Sequence, residues 1–366
     1  NLAADGSTYG VFATITPLGE GYLSVRSRPC VDALHDAAFS LYAQVRPVEF
    51  QARDAGASAH DAAGAGLARL SELLADAGFA SYDEFIWTAL PAEMEERGIR
   101  SSGIVQRPDA SGALADMLTI ATTIETELGA WSVRLRELQE VADRLLAAAP
   151  QLRETMVQNE ATTDRINTIQ AQGFSSAMVW LRVWAQMAPE VSAIISDLVE
   201  DIGRLRRSCA QTRFRIALAV LHDAAVGQFV GELIDGGPGA DEARPAIGEL
   251  GRALDEGVAL TATHADQNAV LAAATADRIN GLRDLLDLPQ TMIREWLARA
   301  DRSSSTFAEM ADAVQSQVDR TQADVDVLST LAAECRRIAV PLETTPVEAQ
   351  LARLRELQNR PIPAGQ

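Results

Sequence analysis

Lysine is absent from this chain of 366 residues, so its entire positive charge is carried by arginine. That excludes a phosphate-binding P-loop of the usual kind, a Schiff base and a Ser–Lys dyad, each of which needs a primary amine. Cysteine is scarce: Cys30, Cys209 and Cys335 lie far apart with no CxxC pair. Reduced, mostly buried thiols in a cytoplasmic protein are therefore expected. Positive charge is in deficit, with 32 basic against 51 acidic residues and a net charge of −19. Such a chain repels phosphate backbones and anionic bilayers, so no nucleic acid is expected as a partner. Aromatics are only 5% of residues and no basic stripe interleaves with them. No apolar run reaches the roughly 18 to 20 residues of a spanning helix. The opening "NLAADGSTYG" does not have the character of a signal peptide either. The expectation is no membrane span and a cytoplasmic location.

Motifs of catalysis are missing as well. The four histidines, His35, His60, His222 and His264, show no HExxH, no i,i+4 pair and no Glu-x-x-His, so zinc and di-iron sites lack their ligand spacing. Cys30 and His35, five residues apart across a strand–helix junction, fit a packed junction better than a metal site. No GxSxG elbow occurs, and "GSTYG" and "GGPGAD" lack the strand–GxGxxG–helix frame of a dinucleotide site. Abundant carboxylates in so acidic a chain describe solvated helix faces. No catalytic residue and no metal ligand is assigned, and a non-enzymatic protein is expected.

What is present is the composition of packed helices: 47% hydrophobic residues, with Ala, Leu, Arg, Glu and Asp dominating the C-terminal part. The chain is long enough for two compact units. Residues 9–28 carry a β pattern, with Val11, Ala13 and Ile15 alternating before "PLGEG", then Leu23 and Val25 opposite Tyr22, Ser24 and Arg26. This is a hairpin, and it must pair with further strands or a helix to be stable. After Pro29, Val31, Leu34, Ala38, Leu41, Tyr42 and Val45 recur at helical spacing. "GASAHDAAGAG" is expected to be a soft spot, "LARLSELLADAG" a helix ended by Gly78, and Ser81 with Glu84 a capping box. "IRSSGIVQRPDASG" marks a linker. The expected domains are 1–50 (hairpin and exit helix), 51–112 (short helices and linker) and 113–366 (a long helical bundle).

In that last region helices are expected over 113–148, 151–187, 190–234, 242–286 and 290–338, with a short one from 346. Pro150, Pro189, Pro289 and Pro341 would mark ends or kinks. "DGGPGADEARP" at 235–245 would reverse the chain. The fold class expected is mainly α: an elongated antiparallel bundle or coiled coil with a small N-terminal β-hairpin.

Two stretches stand out. "CAQTRFRIALAVLHDAAVGQF", from Cys209 to Phe229, is denser in apolar residues than a solvent-facing stripe needs. Gln211, Phe214, Leu218, Leu221, His222 and Ala225 form a candidate interaction face. His222 would titrate near neutrality if part of it met water. "VWLRVWAQMAP" places Trp180, Trp184 and Met187 on one helical face, a core seam or an aromatic docking surface or pocket.

The hairpin "FATITPLGEGYLSVRSRP" resembles the last two strands of a PAS sensor domain, exiting into a helix at Cys30. Ala210, Gln211 and Thr212 match the A-Q-T of the hairpin tip of methyl-accepting chemotaxis receptors, and Phe214, Leu221, Ala225 and Gly227 fall at its apolar and small positions. Arg213 stands where that tip has Asn, and His222 and Ala224 where it has Glu and Arg. The resemblance implies a signal-transduction protein in which a partial PAS-like α+β unit biases a dimerising bundle. Self-association and other signalling proteins are the partners it implies, and haem or flavin belongs to an intact PAS unit of this kind. A non-enzymatic scaffold oligomer and a small-molecule-binding bundle are the competing expectations.

Overall fold

Alternation at the N-terminus produces two antiparallel strands, β1 (Phe12–Leu18) and β2 (Gly21–Ser27), with Phe12 opposite Ser27 and Leu18 opposite Gly21. Gly19 closes the turn at φ +57°, a left-handed value that glycine takes without strain. This computed structural model describes residues 3–101, 103–170, 179–236, 240–299 and 305–358. It is 82% helical. Among the described residues the two strands are followed by α1 (Asp32–Asp54), α2 (Ala59–Asp76), α3 (Tyr82–Arg100), α4 (Gly112–Gln170), α5 (Val179–Asp235), α6 (Ala240–Arg299), α7 (Ser305–Ile338) and α8 (Thr345–Gln358).

The inward face of the hairpin differs from the apolar set expected of it. Thr14 and Leu18 are buried and Phe12 and Thr16 half-buried, whereas Ala13 is exposed and Ile15 is 68% exposed. The hydroxyl explains the reversal: Thr14 Oγ1 donates to the Val25 carbonyl at 3.4 Å, so a threonine can be buried without stranding its polar atom.

The start of α1 has no side-chain cap of its own. Glu93 of α3 supplies one from a distance: its carboxylate accepts from the Cys30 N–H at 2.6 Å and the Val31 N–H at 3.0 Å. Glu93 is 1% exposed, so the pair of charge-assisted bonds clamps the strand–helix junction to α3 away from water. Glu93→Ala is expected to lower the unfolding free energy by about 2 kcal/mol or more in urea titration. An unchanged midpoint would show the clamp to be incidental.

The expected soft spot is the first half of α2. Ser58 accepts from the Asp61 N–H at 3.2 Å and starts the helix. Gly66 lets α2 close on α1, since a Cβ there would lie 2.3 Å from Glu49 Oε1. Gly78, at φ +88°, ends the helix as expected. In α3, Ser81 accepts from the Glu84 N–H at 3.1 Å while Glu84 reaches back to the Ala80 N–H at 2.8 Å.

Pro150, Pro189 and Pro289 do not end helices: α4, α5 and α6 run through them. An interior proline costs about 3 kcal/mol. Flanking side chains offset that, because Leu152, Val191 and Ile293 are all 0% exposed and buried apolar side chains of that size contribute roughly 1.5–3 kcal/mol each. Of the helix expected over 290–338, residues up to Arg299 continue α6 and residues from Ser305 form α7, while 300–304 lie outside the described residues. Pro341 does follow a helix end, three residues past Ile338.

The residues form two compact units. The first comprises 1–135, 210–263 and 342–366. Its core has one cluster of Leu90, Met94, Ala217 and Leu221, and a second of Leu74, Phe85 and Ala89. Phe12 packs against both, which is how the lone hairpin is stabilised. Arg213 pairs with Glu95 at 2.9 Å, tying α5 to α3. α8 is seated on α6 by Gln358, which donates to the Ile247 carbonyl at 3.2 Å, and by Arg355 beside Asp255 at 3.4 Å.

The second unit comprises 136–209 and 264–341. Along α5, Val191, Ile195, Leu198, Ile202, Leu205 and Cys209 are fully buried at alternating steps of four and three, the spacing of a helix seam. Arg144–Glu334 at 2.6 Å, Thr155–Asp324 at 2.7 Å and Gln317 donating to the Gln158 carbonyl at 2.9 Å show α4 and α7 running in opposite directions. Arg278 bridges α6 to Asp201 of α5 at 2.7 Å. Burial raises the Cys335 thiol to about 11, keeping it protonated.

Candidate functional site

α5 between Ala210 and Asp235 belongs to the first unit, and the hairpin covers it. Leu221 and His222 are buried, and Gln211, Phe214, Leu218 and Ala225 are half-buried. Phe214 and Leu218 pack with the Leu90–Met94–Ala217–Leu221 cluster, which Phe12 and Val25 of the hairpin join. The dense patch thus meets strands and helices of its own chain. Gly227 has the same use, because a Cβ there would meet Ile104 at 2.8 Å.

Covering is incomplete, and two cavities remain beneath the strands. One, about 330 Å³, lies on the β2 side, where Leu23 and Val25 face Leu221 and Ala225 of α5 and Leu250 of α6. The other, about 360 Å³, lies on the β1 side between Ile15–Pro17, Phe214, Leu218 and His222 of α5, and Gly257 and Leu260 of α6. The structure therefore divides the candidate face: Phe214, Leu218 and His222 line one cavity, Leu221 and Ala225 the other.

Three polar side chains on this stretch carry unusual electrostatics. His222 is 1% exposed, and its Nε2 lies 3.5 Å from Thr16 Oγ1. Burial pushes its pKa down to about 4, so the imidazole is neutral at physiological pH, and the contact with water that titration near neutrality would require is absent. Asp223 is 1% exposed, and among the described residues neither carboxylate oxygen has a hydrogen-bond partner. Burial, and the Glu125 charge after it, raise its pKa well above the ordinary carboxylate range. Arg215 lines the β1-side cavity with a buried Nε that meets no acceptor among the described residues, and burial lowers its pKa. At the end of α5, by contrast, Arg107 holds Asp235 in a two-bond pair of 2.7 and 3.0 Å, which lowers the Asp235 pKa.

Other candidates are placed elsewhere. The side chains of Trp180 and Trp184 lie outside the described residues, and Met187 is half-buried in the second unit. Cys30 and His35 do not converge: the thiol donates to the Arg28 carbonyl at 3.6 Å, and His35 Nδ1 lies 3.1 Å from Asp36. Among the described residues no three His, Cys, Asp or Glu side chains group as metal ligands. Pro189–Asp235 is long and apolar enough to cross a bilayer, but 56% of its most apolar window is buried within the protein. No family model, curated protein or solved structure matches the chain.

Asp223, Arg215 and Glu93 were not singled out in the sequence. The available signal was a charged residue interrupting an apolar face: Arg215 and Asp223 each stand among the closely spaced Phe214, Leu218, Leu221 and Val226.

Proposed function

We propose that the chain is a signal-transduction protein in which the hairpin-bearing unit, PAS-like in its strand–helix exit, biases a dimerising bundle of long helices. The observation that supports this reading is continuity: α4, α5 and α6 each contribute residues to both units as single helices. Repacking at one place on a continuous helix can change its rotation or offset further along, and two packings within a few kcal/mol of each other suffice for a switch. The form proposed for the long helices is an elongated antiparallel bundle or coiled coil. A compact chain of this length has a radius of gyration of about 21 Å, so X-ray scattering should return a clearly larger value.

The relay is tested inside the second unit. Spin labels at Arg144 and Glu334, partners across α4 and α7, report their separation by pulsed dipolar resonance. Phe12→Ala, which loosens the hairpin from its core in the first unit, should shift that distance distribution. An unshifted distribution, with the hairpin shown by its own label to have moved, rejects the relay.

A further inference from the structure

We propose that the cavity beneath β1 binds a small monocarboxylate with an apolar body, its carboxylate held by Arg215. Most of the wall is apolar, from Ile15 and Pro17 on the strand through Phe214 and Leu218 to Leu260. The volume of about 360 Å³ lies in the range of small-molecule sites, roughly 300–1,000 Å³, which pair apolar walls with a few convergent polar groups.

Arg215 identifies the ligand's charge. In a chain with 51 acidic residues against 32 basic ones, a partly buried guanidinium has every opportunity to meet a carboxylate. Two residues away Arg213 does so, through Glu95 at 2.9 Å. Arg215 meets none among the described residues, and its buried Nε is left without an acceptor. A guanidinium presents a planar fork suited to a carboxylate, and leaving one desolvated and unpaired is costly. An anion arriving in the cavity would remove that cost.

Two further side chains narrow the class. Glu256, exposed on α6, also lines the cavity. With one guanidinium and one carboxylate there, a single negative charge is tolerated and a phosphate dianion is disfavoured. His222 and Thr16 add hydrogen-bonding atoms at the inner wall, and the neutral imidazole brings no second positive charge.

The site goes beyond the relay reading, because a ligand binds or fails to bind whether or not the helices carry a signal. Calorimetric titration of the full chain at neutral pH with octanoate, octanamide and octyl phosphate tests it. Octanoate should bind one to one, and octanamide about tenfold more weakly or worse, for loss of a charge-assisted pair. Arg215→Gln should reduce octanoate to the affinity of the amide while leaving the amide unchanged. Leu218→Trp, which fills the cavity, should abolish both. Octanoate binding no better than octanamide, or binding that survives Leu218→Trp with helicity intact, overturns the proposal. Tighter binding of octyl phosphate overturns the ligand class. Should Arg215→Gln not fold, the acid–amide comparison on the unaltered protein still decides.

Discussion

Leu221→Asp should unfold the hairpin-bearing unit. Leu221 is 4% exposed and packs with Leu90, Met94 and Ala217. The substitution removes a buried side chain and leaves a carboxylate in its place with no partner, a cost above about 4 kcal/mol. Whole-domain stabilities are only about 5–15 kcal/mol. Far-UV circular dichroism should therefore lose helical signal, and the urea transition should move to a much lower midpoint. Phe214→Asp, at a half-buried position beside the same cluster, should act in the same direction but less. Full helicity with an unmoved urea midpoint, and a mass in solution that falls at matched concentration, would assign the patch to contacts between copies instead.

Acid and alkali should pull on two adjacent residues in opposite senses. His222 has its folded pKa depressed from 6.5 to about 4. Between those values the unfolded chain takes up a proton that the folded chain refuses, so stability falls as pH drops through the window, by about 3 kcal/mol in all. Asp223 has its folded pKa raised above 3.8. Here the folded chain keeps a proton that the unfolded chain releases, so stability falls as pH rises from 3.8 toward the raised value. Below pH 6.5 the two trends oppose each other in the intact protein, and each single variant exposes the other. Asp223→Asn should gain stability relative to the parent as pH rises, leaving the acid-side loss from His222 uncompensated. His222→Gln should resist acid and weaken with rising pH. Urea midpoints from pH 4 to 8 measure both, and parallel pH profiles for the parent and both variants would contradict the assignment.

How legible all this was depended on whether the cause is local. The hairpin turn, the Ser81 cap and the Gly78 stop rest on residues within a few positions of one another, and all three were readable. The prolines misled because their cost is local while its compensation comes from buried neighbours such as Leu152 and Val191 on packed helices. The phase of β1 misled because hydrophobicity ranks Ile15 above Thr14, whereas burial of Thr14 depends on a carbonyl eleven residues away. The candidate stretch was found by its density, but its division between two cavities required knowing that the strands lie over it. Glu93 could not be found, since its partners Cys30 and Val31 are more than sixty residues distant.

The first unit is assembled from three stretches of chain, with α8 returning to α6 through Gln358 and Arg355. Its last contacts join residues about 100 apart, so on a ribosome the earlier helices must wait, partly uncovered, until residues 342–358 have been made. Such long loop closures slow folding and prolong the exposure of sticky surfaces. Cutting the gene before Leu342 should thus yield a chain dependent on chaperones, with Ile247 and Gly251 of α6, which Gln358 and Leu354 of α8 lie against, among the residues left bare.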